Sequence, residues 1–167
     1  MENIIHLVIV WPIAINHMKL IQNHLCQIDA NILYGIHIYP NPADLKQFIT
    51  DIYSGSQYDL QRIEEKKTGI INYLSHQGII AITFSIEKGK QEWNIERNRF
   101  VFPAILNLKK SIRDDIQDKE GTISVYETIH MTDDSGEFEN DLSALMKLIC
   151  ISKCKYYKKQ EIFNAII

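Results

Sequence analysis

Short β-branched runs alternating with apolar segments of helical spacing predict an α/β chain of the α+β kind, a ferredoxin-like mixed antiparallel sheet covered by helices on one face. Three observations carry this. Strand-like runs occupy Ile4–Trp11, Ile32–Tyr39, Ile79–Ile86 and Thr122–Ile129, with helical spacing between most of them. No glycine-rich strand-to-helix turn is present. The first such turn is Trp11-Pro12-Ile13, and Gly55 and Gly69 stand alone, which argues against a doubly wound parallel sheet, a P-loop or a dinucleotide fingerprint. The length of 167 residues suits a single core rather than two small ones.

Ile4–Trp11 reads as a buried strand closed by Pro12. From Ile13, the residues Met18, Ile21, Leu25 and Ile28 share one side of a helix, with His17 and His24 on its surface. Asn31 ends that helix, and Ile32–Tyr39 forms a second strand with His37 at an edge or on the surface. Pro40-Asn41-Pro42 breaks the chain and starts the next helix, Asn41 as cap and Pro42 at its first position, with Leu45, Phe48, Ile49 and Ile52 inward. Ser54-Gly55-Ser56 is a loop, and Leu60–His76 is a helix burying Ile63, Ile70, Ile71 and Leu74. Gly78 precedes strand three, Ile79–Ile86. Gly89–Lys109 lacks clean periodicity and reads as a functional loop or irregular helical segment. Phe138, Leu142, Leu145 and Ile149 make the stripe of a helix that packs on the sheet.

Hydrophobic residues at 46% and charged ones at 23% describe an ordinary globular chain. The net charge of −3 offers no basic face for nucleic acid. Lys153, Lys155, Lys158 and Lys159 read as a solvated helix face. No apolar run approaches the roughly 18 to 20 residues of a membrane span, and the opening run lacks a signal-peptide flank, so no membrane partner and a cytoplasmic location are expected. Cys26, Cys150 and Cys154 show no metal-ligand pattern; the Cys-x3-Cys pair on a helix reads as incidental thiols.

The chemistry concentrates at Ile129-His130-Met131-Thr132-Asp133-Asp134-Ser135, which sets one histidine just before a helix capped by Asp134 or Ser135. A histidine there can act as a nucleophile if one group orients it and another neutralises what it attacks. Asp141 lies eleven residues on, and Ser111-Ile112-Arg113-Asp114-Asp115 supplies an unconditionally charged arginine upstream. The pattern suggests phosphoryl transfer through a phosphohistidine.

On those motifs the chain resembles the nucleoside diphosphate kinase family from about Ile4 to Leu148. The family has a strand running into Lys-Pro-Asp, a late Thr-Ile-Arg-x-Asp and a catalytic His-Gly-Ser-Asp-Ser. Here Trp11-Pro12-Ile13, Ser111–Asp115 and His130–Asp134 correspond. The resemblance implies a kinase-like domain over residues 1–150, with 151–167 as a C-terminal extension. It further implies that His130 takes and passes on a γ-phosphate beside the hydroxyl of Thr132, with Asp141 orienting the ring. Arg113 and Arg99 would bind phosphate, and nucleoside tri- and diphosphates would be the partners. Mg²⁺ would bind through the nucleotide rather than in a protein cage, and the chain would form a homo-oligomer, with Ile162–Ile167 available for a subunit contact. Four positions depart from the family pattern: Trp11 for a phosphate-binding lysine, Ile49 for a tyrosine near the histidine, Glu127 for an asparagine, and Met131 for a glycine.

Three readings follow: a ping-pong phosphotransferase; a module that keeps the fold and binds nucleotide or a partner without transfer; and a transferase with a changed substrate, in which Trp11 stacks on a base or sugar. Lys66, Lys67 and Lys109 are the lysines that could restore the charge missing at Trp11.

Overall fold

The computed structural model describes residues 2–54, 59–75, 77–121 and 123–165. Its centre is β1 (Asn3–Val10), entirely β-branched or apolar from Leu7 to Val10 and fully buried there. Pro12 stops the strand and opens a 3-10 turn, Pro12–His17, which leads into α1 (Met18–Gln27) and then β2 (Asn31–Tyr39). Asn41 caps α2 (Pro42–Tyr53), its side chain accepting from the Asp44 amide at 2.9 Å, with Pro42 in the first turn as the sequence predicts. Asp59 caps α3 (Leu60–Asn72) in the same way, accepting from the Arg62 amide at 2.8 Å. The expected loop residues Gly55 and Ser56, His76 at the expected end of α3, Thr122 at the expected start of the last strand, and Ile166 and Ile167 of the expected subunit contact lie outside the described residues.

β3 (Ile79–Glu87) follows, then a hairpin of β4 (Glu92–Asn94) and β5 (Arg99–Val101), and then an 18-residue helix, α4 (Pro103–Glu120). This corrects the reading of Gly89–Lys109 as a functional loop or irregular helical segment: its first part is a hairpin and its last part the start of a regular helix. Pro103 at the first helical position and the stripe Ile105, Leu108, Ile112 and Ile116 are ordinary helix signals that the charged residues between them obscure. The strand expected over Thr122–Ile129 is shorter and later. Val125–Glu127 form a 3-10 turn, and β6 spans only Ile129–Met131. α5 (Ser135–Ile151), β7 (Lys153–Lys158) and α6 (Glu161–Asn164) complete the chain.

The main sheet has the order β6-β1-β3-β2-β7, and every described ladder in it is antiparallel. Its first four strands in that order have the ferredoxin-like arrangement, so the predicted α+β class holds. Helices cover both faces rather than one. Val8, Val10, Ile80 and Phe84 pack under α1 and α4, while Leu7, Ile9, Ile38 and Ile79 pack under α2, α3 and α5. Period-2 alternation on a two-sided sheet produces continuous apolar runs, which is why the central strands carry no polar face.

The C-terminal segment is woven into this sheet. β7 pairs with β2, so β2 is internal and His37 is buried, its Nε2 donating to Gln77 O and its Nδ1 accepting from the Tyr39 hydroxyl rather than facing solvent at an edge. Burial holds the His37 imidazole below its usual pKa. Of the basic residues expected on a helix face, Lys153, Lys155 and Lys158 lie on β7 and Lys159 just after it, and Cys154 is on the same strand, so Cys150 and Cys154 do not share a helix. Ile162 and Phe163, expected at a subunit contact, are buried in the chain's own core. Ile162 lies so close to Gly35 that a Cβ there would sit 2.6 Å from the Ile162 Cβ, which explains a glycine in mid-strand. Among the described residues no helix is long and apolar enough to cross a membrane.

Candidate active site

His130 stands directly opposite Ile9 in the β6–β1 ladder, so its ring projects toward α2 and α5, while Met131 beside it packs into the opposite core. Two side chains hold the ring. Asp141, buried on α5, lies 2.6 Å from Nε2, and the Tyr53 hydroxyl at the end of α2 lies 3.1 Å from Nδ1. An ionised carboxylate only accepts, so Asp141 keeps the imidazole proton on Nε2 and leaves Nδ1 with a lone pair, to which Tyr53 donates. The Tyr53 and His130 rings meet edge to face, with centroids 5.2 Å apart. His130 is 2% exposed, so the ring is oriented and covered at once.

The loop after His130 is tied by charge. Asp134 caps α5 by accepting from the Glu137 amide at 2.8 Å, and Glu137 returns its carboxylate to the Asp133 amide at 2.6 Å. Asp133 is fully buried and meets Lys109 at 2.9 Å, Arg97 from the hairpin, and Arg99 at 3.4 Å. Burial alone would raise the Asp133 carboxyl, but Lys109 and Arg97 outweigh it and hold it below the usual carboxylate range. Arg99 also pairs with Asp134 at 3.2 Å and Glu137 at 3.3 Å. This phosphate-ligand candidate is therefore engaged by acids.

On the other side lies a second set of charges. Lys66, on the buried stripe of α3 with Ile63 and Ile70, sits over the Tyr53 ring at 3.8 Å and within 5.5 Å of the Tyr126 ring. Burial, and then repulsion from Arg113 and Lys109, bring its pKa down to about 6. Arg113 lies inside α4. It donates through Nε and Nη2 to Ile129 O, at 3.2 and 2.9 Å, and its guanidinium is 5.3 Å from the Tyr126 ring. Glu127 packs against α3 at Gly69, where any Cβ would collide with its carboxylate. Burial pushes the Glu127 carboxyl up and Lys66 draws it back, so its electrostatic partner is Lys66 rather than Arg113.

His130, Glu137 and Asp141 are the His and carboxylate side chains among the described residues whose ligand atoms gather within 4.8 Å. The set includes a nitrogen, and Nε2 and Asp141 already share a proton, so it does not fit the all-oxygen octahedron of Mg²⁺. Two surface cavities of about 350 Å³ each lie elsewhere, one beside Pro12, Asn72 and Glu120, the other beside Asn3, Asp29 and Ala104.

Solved structures with this architecture exist. A nucleoside diphosphate kinase from Aquifex aeolicus superposes with a TM-score of 0.53 at 14% identity, over 86% of this chain and 95% of that one. This is the fold of nucleoside diphosphate kinases. A halophilic nucleoside diphosphate kinase from Halobacterium salinarum in complex with CDP matches with a TM-score of 0.50 at 13% identity, over 86% of this chain and 87% of that one. No family model matches the sequence, and no curated protein does.

Against the positions expected from the nucleoside diphosphate kinases, the structure brings His130 and Asp141 together and puts Arg113 on the backbone carbonyl next to them. Thr132 turns away. Its hydroxyl accepts from the Leu7 amide at 3.0 Å, extending the β1–β6 pairing, so it serves the sheet. Trp11 is fully buried against Phe48, with ring centroids 6.2 Å apart, and offers no face for a base or sugar. That corrects its expected role in nucleotide binding. The tyrosine near the histidine is Tyr53, one helical turn beyond Ile49, which is core. Of the three lysines, Lys67 pairs with Glu64 at 2.5 Å, while Lys66 and Lys109 turn inward. The overlooked residues are Tyr53, Glu137 and Arg97; of these Tyr53 had a signal, since it falls in the phase of the apolar stripe of its helix, as Lys66 does in α3.

Proposed function

We propose that the protein is a phosphotransferase of nucleoside diphosphate kinase type, working through a phosphohistidine at His130. The observation that carries the reading is a buried histidine whose Nε2 is committed to Asp141, which leaves Nδ1 as the only lone pair for attack. That histidine lies on a fold shared with nucleoside diphosphate kinases. The Tyr53 hydroxyl swings off Nδ1, and Nδ1 attacks the γ-phosphorus of a nucleoside triphosphate delivered as its Mg²⁺ chelate. The N–P bond forms as the bond to the β-γ bridging oxygen breaks, and the diphosphate leaves with that electron pair. The positive charge gained by the ring is met by Asp141 across Nε2–H. A second nucleoside diphosphate then takes the phosphoryl group by the reverse displacement. Positioning and charge neutralisation supply most of the catalysis in such transfers.

A second reading rests on a specific observation: His130 is covered and Arg99 is engaged with Asp133, Asp134 and Glu137, so the fold binds nucleotide or a partner without transfer. The two separate in one experiment, labelling by γ-³²P-ATP with a diphosphate chase. Acid-labile label that moves onto GDP and is absent in His130→Ala supports transfer. Bound nucleotide with no label supports the second reading.

A further inference from the structure

Two acids of α5 and the histidine of β6 converge on one point. Glu137 and Asp141 are four residues apart, so they lie one turn above the other on the same helix face, and His130 meets both from the facing strand. Its Nε2 is 2.6 Å from Asp141 Oδ2 and 4.0 Å from Glu137 Oε1, and one ligand atom from each of the three residues lies within 4.8 Å of the others. Like charges at this helical spacing repel, and at 4.0 Å Glu137 is beyond the reach of the Nε2 proton that serves Asp141. Each group is also held by its other polar atom. The Tyr53 hydroxyl is on Nδ1 at 3.1 Å, and Asn140 Nδ2 donates to Asp141 Oδ1 at 3.2 Å. The Asp133 amide and Arg99 donate to Glu137 Oε2 at 2.6 and 3.3 Å. Outer partners of this kind aim the ligands of a metal ion.

We propose that His130 Nε2, Asp141 and Glu137 form a Zn²⁺ site, and that its occupation closes His130 to phosphate. One imidazole and two carboxylates are a three-ligand set for this ion, with a fourth position for water on the side of the half-buried Glu137. Bonds of about 2.0 to 2.2 Å around a tetrahedral centre set the ligand atoms roughly 3.4 Å apart. The 2.6 Å pair opens and the 4.0 Å pair closes, each by less than about 1 Å, a change that side-chain torsions absorb. The two carboxylates balance the charge of the ion and no longer repel across it. Zn²⁺ takes Nε2 only through a lone pair, so the ring proton moves from Nε2 to Nδ1, where the Tyr53 hydroxyl turns from donor to acceptor. Nδ1 is then left without a lone pair to attack phosphorus. The effect on transfer rests on the phosphotransferase reading; the site itself does not.

The test uses the whole chain with Zn²⁺, and with Co²⁺, whose visible absorption reports a tetrahedral site. Zn²⁺ affinity is measured by competition with a chromophoric chelator, and the state of the His130 ring by its ¹⁵N shifts. One equivalent of Zn²⁺ is expected to bind with a Kd of about 1 μM or tighter, to put the ring proton on Nδ1, and to stop labelling by Mg²⁺-ATP until a chelator removes it. Glu137→Gln is expected to weaken binding about tenfold or more, and it keeps an oxygen for the Asp133 amide, so the start of α5 stays capped. His17→Ala combined with His24→Ala removes the two surface histidine–acid pairs and is expected to bind as the wild type does. No stoichiometric binding, an octahedral Co²⁺ spectrum, or Glu137→Gln affinity within about twofold of wild type would overturn the site. Undiminished labelling with the metal bound would overturn its effect on Nδ1. Metal bound at Nε2 in a protein that ATP fails to label even without metal would uphold the site and sink the transfer reading instead.

Discussion

Two buried histidines at the same end of the sheet, His6 and His130, face opposite ways and are held by opposite chemistry. His6 points into the α1/α4 core, stacked on Phe84 at 5.7 Å and edge-on to Phe102 at 5.8 Å, with its Nδ1 on Thr132 O at 3.1 Å. Burial holds it below its ordinary pKa, and the pull of Asp133 and Asp134 does not offset that. It packs as a neutral aromatic ring. His130, on the α2/α5 face, has a carboxylate on one nitrogen and a hydroxyl on the other. Burial is equally complete at both, so burial does not distinguish them. The partner that assigns the proton on the ring does. Thr132 and Asp133 stand between the two rings, and the charge of Asp133 is felt by both histidines.

The comparison breaks most decisively at Asp141. Asp141→Asn removes the group that keeps the proton on Nε2, and labelling of His130 is expected to slow on the order of 10²-fold or more, measured by single-turnover transfer from ATP. A rate within about threefold of wild type would show that Asp141 does not orient the ring. Asp133→Asn strands Lys109 and Arg97 around a neutral side chain in a buried site. It is expected to cost about 3 kcal/mol or more in urea unfolding.

His6→Phe sharpens the contrast from the other side. Its label is expected to stay within about twofold of wild type, while the pH dependence of stability changes. Above the ordinary imidazole pKa of 6.5 both folded and unfolded His6 are neutral; below it the unfolded chain takes a proton that the folded one resists, so stability falls as the pH drops. Removing His6 makes that fall shallower by up to about 1.4 kcal/mol per pH unit, read from denaturation at several pH values. His37 shifts in the same direction and keeps part of the slope. The smallest effect is expected at Tyr53→Phe. It deletes a neutral hydrogen bond to Nδ1 but leaves the ring under Lys66, so the labelling rate rises by no more than about fivefold. A large loss of rate would show that the hydroxyl assists the reaction.

Much of this arrangement was legible along the chain. Asn41-Pro42 specified the start of α2, and Asp134 the start of α5, because caps act within one turn. The pairing of His130 with Asp141 was readable from position relative to the helix start. Residues 89–109 were not, because a three-residue hairpin strand carries too few positions to show a period and the charges of α4 interrupt its stripe. The orientation of Thr132 was equally hidden. A hydroxyl two residues from the histidine lies on its face of the strand only if the strand continues, and here Thr132 is spent on Leu7.

The local rules of the sequence determined the α+β class, the central strands, most helix starts and the histidine before a capped helix, since each depends on contacts within a few residues. Only the tertiary structure decided that helices cover both faces, that β7 makes β2 internal, and that Trp11 is core while Tyr53 stands at His130 with Lys66 over its ring. Those outcomes depend on which residues, often more than fifty apart in the chain, compete for the same buried volume, and no local period records that competition.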